Sequence, residues 1–248
     1  MHEVATLHTP VSRSSSGPFR LERDMFASVA ETLPGRISKQ PHRVFPLKEA
    51  TVGNVIPDLL LGEWTDELRP LRRNFTFIEA RIIALLDEHD ELFQAEITDR
   101  LHLSEPAAAR AFKRIERSGI TVETAGGKIS LDAGAFTRAL VVTAVELKLS
   151  RWREALAQGM SYLKFADRAY VVLDADRADP DEEMIAAFRD ARVGLFVLGA
   201  DAMTEVVPAV KQRCVGVQRI LAVQKLCVSL TASGRLQSSL VAPVGERV

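Results

Sequence analysis

With 248 residues, 47% of them hydrophobic and 26% charged, the chain is too apolar for a disordered protein and long enough for one large domain or two small ones. Its 32 basic and 33 acidic side chains leave a formal charge of −1, which excludes the uniformly basic surface of a general nucleic-acid coat. No apolar run approaches the ~18 residues needed to span a bilayer, and glycine and proline are too few for a fibrous or low-complexity chain.

The first 18 residues are polar, with Ser12, Ser14, Ser15 and Ser16 and no apolar stretch of the secretory type, so a flexible tail on a cytoplasmic protein is expected. Apolar Leu21, Met25, Phe26, Val29 and Leu33 then recur at helical spacing, and Pro34-Gly35 is expected to stop that helix. Residues 42–48 and 55–61 read as strands, the second closed by Gly62. From Phe75 the texture becomes helical. One amphipathic helix runs from Phe75 to Leu92, a short one from Gln94 to Leu101, and a third from the Ser104 cap and Pro106 to about Ser118. Gly126-Gly127 between two short β-prone runs signals a hairpin.

Beyond residue 140 strands and helices alternate: a strand over 140–148, a helix over 151–165, a strand over 169–173, a helix over 182–189 and a strand over 194–198. A last helix is expected from Pro208 to about Ser229. This order predicts an α/β core in two parts, 19–66 and 135–205, interrupted by a small helical insertion at 75–131, with 206–248 as a C-terminal helix and tail.

The chemistry centres on two charged positions in apolar strands. Glu146 and Lys148, spaced by one residue, share one face of a strand that reads as buried. Asp58 sits among Val55, Ile56, Leu59, Leu60 and Leu61. The plain alternative is a pair of strand ends that reach water, or a simple ion pair. Two carboxylates on neighbouring strands, however, repel unless a cation lies between them, and hard oxygen ligands favour Mg²⁺ or Mn²⁺. A lysine beside them suits a phosphate oxyanion or an attacking water.

Pro57-Asp58 followed by Glu146-Leu147-Lys148 resembles the PD-(D/E)xK nuclease superfamily, the restriction-endonuclease-like fold, and the helix–strand–strand–strand–helix–strand order agrees with its core. The departure from the pattern is the gap of 87 residues between Asp58 and Glu146, which the insertion fills. The resemblance implies that Asp58, Glu146 and the Leu147 carbonyl hold the metal and that Lys148 meets the scissile phosphate or water. It also implies one more acid from the first helix, Glu22 ahead of Glu31. Gln158 and Tyr162, four residues apart, resemble the Q-x-x-x-Y element of exonuclease branches, where Gln supports the metal site and contacts DNA. The plain alternative is a polar helix flank with Tyr162 half-buried. Arg151, at the start of that helix, and Tyr162 are candidate DNA contacts.

Three helices and a hairpin form the pattern of a winged helix-turn-helix, whose third helix enters the major groove. Arg110, Lys113, Arg114 and Arg117 lie on one stripe of that helix, and Lys128 lies on the hairpin. The insertion as a whole carries seven Lys/Arg against ten Asp/Glu, but Asp87, Glu88, Asp90 and Glu91 gather away from the stripe.

The expectation is therefore a Mg²⁺-dependent deoxyribonuclease acting on DNA, with no membrane association. A winged-helix regulator or interaction subunit on a non-catalytic scaffold is the rival, and the insertion could equally form a homodimer contact. His42, His89 and His102 lack metal spacing. Asp174, Asp176 and Asp179 read as a solvated acidic loop. Cys214 and Cys227 read as small hydrophobes in a reducing compartment.

Overall fold

The computed structural model describes residues 19–69, 71, 73–131, 134–200 and 202–235. The expected tail at 1–18 and the end of the chain beyond 235 lie outside the described residues. The core is built from α1 (Glu22–Ile37), β1 (Val44–Lys48), β2 (Leu59–Trp64), β6 (Leu140–Lys148), α6 (Trp152–Tyr162), β7 (Arg168–Asp174), α7 (Glu182–Asp190), β8 (Gly194–Leu198), β9 (Met203–Val207) and α8 (Val217–Ala232). Between β2 and β6 come α2 (Phe77–His89), β3 (Glu91–Phe93), α3 (Gln94–Leu101), α4 (Glu105–Arg117), β4 (Val122–Ala125), β5 (Lys128–Leu131) and the short α5 (Gly134–Thr137).

The six core strands form one mixed sheet in the order β1-β2-β6-β7-β8-β9. The β6-β7-β8 centre is parallel and both flanks are antiparallel. Alternation along β6 sorts its side chains between two layers. Val145 and Leu147 point into a cluster with Met25, Val29 and Leu33 of α1. Leu140, Val142 and Ala144 point into the larger cluster that holds α6, α7, α8 and the insertion. Glu146 and Lys148 follow the second set, so their strand face is the one that carries the insertion.

The inserted segment folds as three helices and a three-stranded sheet in the order β3-β5-β4. Gly126 and Gly127 both take positive φ (59° and 81°), which is what the tight β4–β5 turn demands of them. The insertion is fastened to α8 and the segment before it: the Phe75 amide donates to Gln224 Oε1 of α8 at 2.8 Å, and Arg213, ahead of the helix, reaches the Asp87 carbonyl at 3.5 Å. Gly62 on β2 lets α8 approach the sheet, because a Cβ there would meet Leu226 Cδ1 at 3.1 Å.

Several expected elements differ. Pro34 does not end α1; it lies buried inside the helix, which runs on to Ile37. A proline removes one helical hydrogen bond, and the packing of Met25, Val29 and Leu33 holds the helix through it. The second strand starts at Leu59, not 55, because Val52 and Val55 close a small turn of their own; Asp58 therefore precedes the strand. Leu92 leaves the first inserted helix to become the middle of β3. The final helix starts at Val217 rather than Pro208, with Met203–Val207 forming an edge strand that the sequence pattern did not suggest. None of the helices formed by described residues is long and apolar enough to cross a membrane.

Candidate active site

The strand register builds the site. β2 and β6 are antiparallel with Leu59 opposite Val145, so the residue just before β2 falls beside the last turn of pleat on β6. Asp58 is half-buried there, and its Oδ2 accepts the Leu147 amide at 2.8 Å. The 87-residue gap is thus closed by strand pairing. Leu147 points to the α1 layer, and its neighbours Glu146 and Lys148 point to the opposite layer.

Glu146 is 2% exposed. Its Oε1 accepts from Lys148 Nζ at 2.7 Å, and its Oε2 accepts from the Tyr162 hydroxyl at 2.5 Å. Lys148 Nζ also lies 3.4 Å from Glu22 Oε2, at the first residue of α1. Glu22, Asp58, Glu146, Lys148 and Tyr162 therefore converge from four elements. Glu31, the second choice on the first helix, is exposed away from them.

Burial pushes the Asp58 carboxyl up to about 6; the Leu147 amide opposes this and the Glu146 charge adds to it. Burial alone would lower Lys148, but its hydrogen bond to Glu146 and the charges of Glu146, Glu22 and Asp58 outweigh that and hold the ammonium above its ordinary range. Burial and the Glu146 carboxylate drive the Tyr162 phenol far above its usual range, so it stays a neutral donor. Three carboxylates thus face a single ammonium. That surplus of negative charge in a half-buried place suits a divalent cation. No cluster of three His, Cys, Asp or Glu side chains that could hold a metal occurs among the described residues. The expected ligand set has only two side chains, Asp58 and Glu146, beside the Leu147 carbonyl, and both Glu146 oxygens already accept hydrogen bonds, from Lys148 and Tyr162.

The remaining candidates fall differently. Gln158 is exposed on α6 and makes no side-chain hydrogen bond to the carboxylate cluster. Tyr162 is 2% exposed and spends its hydroxyl on Glu146, so the expected DNA contact gives way to support of a carboxylate. Arg151 is exposed and pairs with Glu154 at 3.0 Å. On α4, Arg110, Lys113 and Arg117 are exposed, but Arg114 is turned inward. Its Nε bonds Glu79, which is fully buried and also held by Arg73 Nη2 at 2.6 Å. The stripe is therefore three side chains wide, and an acid of the first inserted helix reaches it after all. Lys128 is tied to Glu91 at 2.5 Å and lies 5.7 Å from the Phe93 ring centroid. Asp174 is buried rather than solvated, because it accepts the Phe19 and Asp176 amides at 3.0 Å each. Burial lifts Cys214 to about 11 and Cys227 to about 12, so neither supplies a thiolate nucleophile at neutral pH.

One buried polar group is not among the sequence expectations. Asp167, just before β7, accepts the Val142 amide at 2.7 Å and pairs with Arg219 Nη2 of α8 at 2.9 Å. An arginine within the apolar run of α8 could have flagged it.

No protein-family model matches the chain, and no curated protein matches it. Among solved structures, a protein of unknown function from Silicibacter pomeroyi is similar over 55% of this chain and 90% of its own, with 22% identity and a TM-score of 0.27. A likeness that slight carries no argument about fold or function.

Proposed function

We propose that the chain is a metal-dependent deoxyribonuclease of the PD-(D/E)xK type, with a restriction-endonuclease-like core and a winged-helix insertion that helps to hold the DNA. The observation that carries the reading is the convergence of Asp58, Glu146 and Lys148 at one end of the β2–β6 pair. In this reading Asp58, Glu146 and the Leu147 carbonyl hold a divalent cation, Mg²⁺ or Mn²⁺. The cation supplies charge stabilisation for the phosphate and a more acidic water. The Leu147 amide and the Tyr162 hydroxyl fix the two carboxylates. Lys148, held charged by its acidic neighbours, donates to a non-bridging phosphate oxygen as negative charge builds there. Exposed Arg110, Lys113 and Arg117 grip the DNA backbone.

The strand geometry adds a constraint. The insertion leaves the core after Trp64 and returns at Leu140, which pair with each other at the far end of β6 from Lys148. Eight residue steps of strand separate the two ends by roughly 26 Å. A duplex held by the insertion must therefore run along that sheet face to reach the carboxylates.

The test is degradation of linear and plasmid DNA with and without Mg²⁺ or Mn²⁺, in the wild type, Asp58→Ala and Lys148→Ala. Metal-dependent cleavage lost in both variants is expected; cleavage unchanged in either variant contradicts the assignment. Replacing Arg110, Lys113 and Arg117 by Ala together should weaken DNA binding and flatten its salt dependence by up to about three units in log–log slope. An unchanged slope would remove the insertion from the DNA interface. Salt-sensitive binding with no cleavage under any divalent metal would instead support the non-catalytic scaffold.

A further inference from the structure

The seam between insertion and core contains a second charged site, at the opposite end of β6. A cavity of about 390 Å³ opens there, lined by the end of α2, the α5–β6 junction, the start of β7 and the segment before α8. Its charged lining is Arg138, Lys211, Arg213 and Arg219 against Asp87 and Asp167. Arg219 is 3% exposed. Its Nη2 serves Asp167 and the carbonyls of Thr137 and Leu140, at 2.9, 3.3 and 2.5 Å. Its Nη1 has no hydrogen-bond partner among the described residues although it is buried.

A buried guanidinium with one arm unpaired is costly, and native proteins satisfy such groups. The carboxylates nearby are already engaged. Asp167 accepts the Val142 and Cys214 amides as well as Arg219, and Asp87 accepts the Thr137 hydroxyl at 2.8 Å. The rim adds further positive charge: Lys211 and Arg213 are exposed, Arg213 reaching the Asp87 carbonyl at 3.5 Å, and Arg138 lies 4.0 Å from Asp90. In the lining itself four cations face two carboxylates, and Asp90 beside Arg138 is a further carboxylate at the rim, so positive charge is left over. A phosphate brings negative charge and more acceptor oxygens than a carboxylate, which suits several forked donors at once.

The geometry points to a binding site for a small phosphomonoester, distinct from the Asp58–Glu146 site and independent of the nuclease reading. The phosphoryl group is received by Lys211 and Arg213 at the rim and by Arg219 at the floor. Because the walls come from both the insertion and the core, the ligand fastens one to the other.

The experiment is thermal unfolding at constant ionic strength, with inorganic phosphate and a nucleoside 5′-monophosphate as probes and acetate as the control. The variant is Lys211→Ala/Arg213→Ala, both exposed positions; because Arg213 also reaches the Asp87 carbonyl, the variant's unliganded melting temperature is measured first and Lys211→Ala alone is run beside it. At one hundred times Kd, both phosphates should raise the wild-type midpoint by roughly 5 °C or more. Acetate should not, and the double variant should lose the shift. No phosphate shift in the wild type, an equal shift in the double variant, or an equal shift with acetate overturns the proposal. Calorimetric titration of phosphate into the wild type gives a second reading; absence of saturable heat counts equally against it. A protein inactive on DNA but stabilised by phosphate through Lys211 and Arg213 would refute the nuclease reading and leave this one standing.

Discussion

At its C-terminal end β6 carries Lys148 paired with Glu146 at 2.7 Å; beside its N-terminal end Asp167 pairs with Arg219 at 2.9 Å. The separations are alike and both carboxylates are largely buried, yet the surroundings are opposite. Around Lys148 there are two further carboxylates, Glu22 and Asp58. Around Asp167 there are backbone amides and three more cations in the same cavity lining. A short ion pair therefore says little by itself about role. The charge left over after pairing is what distinguishes an end suited to a cation from an end suited to an anion.

The largest expected effect falls on catalysis at the acidic end. Under the proposed reading, Glu146→Gln and Lys148→Ala should each lower Mg²⁺-dependent DNA cleavage by about 10²–10⁴-fold, read from initial rates, because the first would lose a cation ligand and the second the charge that meets the phosphate. A loss below about tenfold would make the two ends alike in being structural only.

Next in size is a stability effect at the other end. Asp167→Ala strips the partner from a buried guanidinium and frees two backbone amides, at about 3–5 kcal/mol. Thermal unfolding should drop by roughly 6–20 °C. A drop of a degree or less would show that Arg219 finds water or another acceptor readily.

Tyr162→Phe sharpens the acidic end. It leaves the packing of α6 on β6 and removes one hydrogen bond from Glu146, at about 1–2 kcal/mol. Cleavage should fall roughly tenfold in kcat with little change in KM, while DNA affinity at zero metal stays constant. A fall in DNA affinity instead would restore the phenol to a DNA-contact role.

The smallest effect concerns pH. Asp58 titrates near 6 in the fold against an ordinary 3.8, so the folded state binds the extra proton between those values. The stability that this group contributes is fully present below 3.8 and is lost as pH rises through 6. Asp58→Asn should therefore melt about 2–4 °C above the wild type at pH 7.5, or about 1 kcal/mol after allowing for its partial exposure, and the gap should close below pH 4. Cleavage by the wild type should fall as pH drops through 6.

Local patterning made much of this legible in the sequence. The helix of α1, the strand after Asp58 and the one carrying Glu146, and the glycine turn at 126–127 follow from periodicity and turn chemistry acting over a few residues. The preference for Glu22 over Glu31 rests on the resemblance alone; that the start of α1 lies beside Lys148 is visible only in the structure. What escaped depends on long-range packing. Pro34 continues a helix because the sheet beneath holds it. Arg114 leaves its stripe because Glu79, thirty-five residues earlier, is buried beside it. The Asp167–Arg219 pair joins positions 52 residues apart, which no periodicity relates. The edge strand Met203–Val207 is short and alternates weakly, and only pairing with β8 defines it.

The central claim is that Asp58 and Glu146 share a divalent cation. Its most direct measurement is the anomalous signal from crystals soaked in Mn²⁺. A peak bridging the Asp58 and Glu146 carboxylates, beside the Leu147 carbonyl and absent in Asp58→Asn, is the predicted result. Saturating Mn²⁺ with no peak there, and with Lys148 still seated on Glu146, would contradict it.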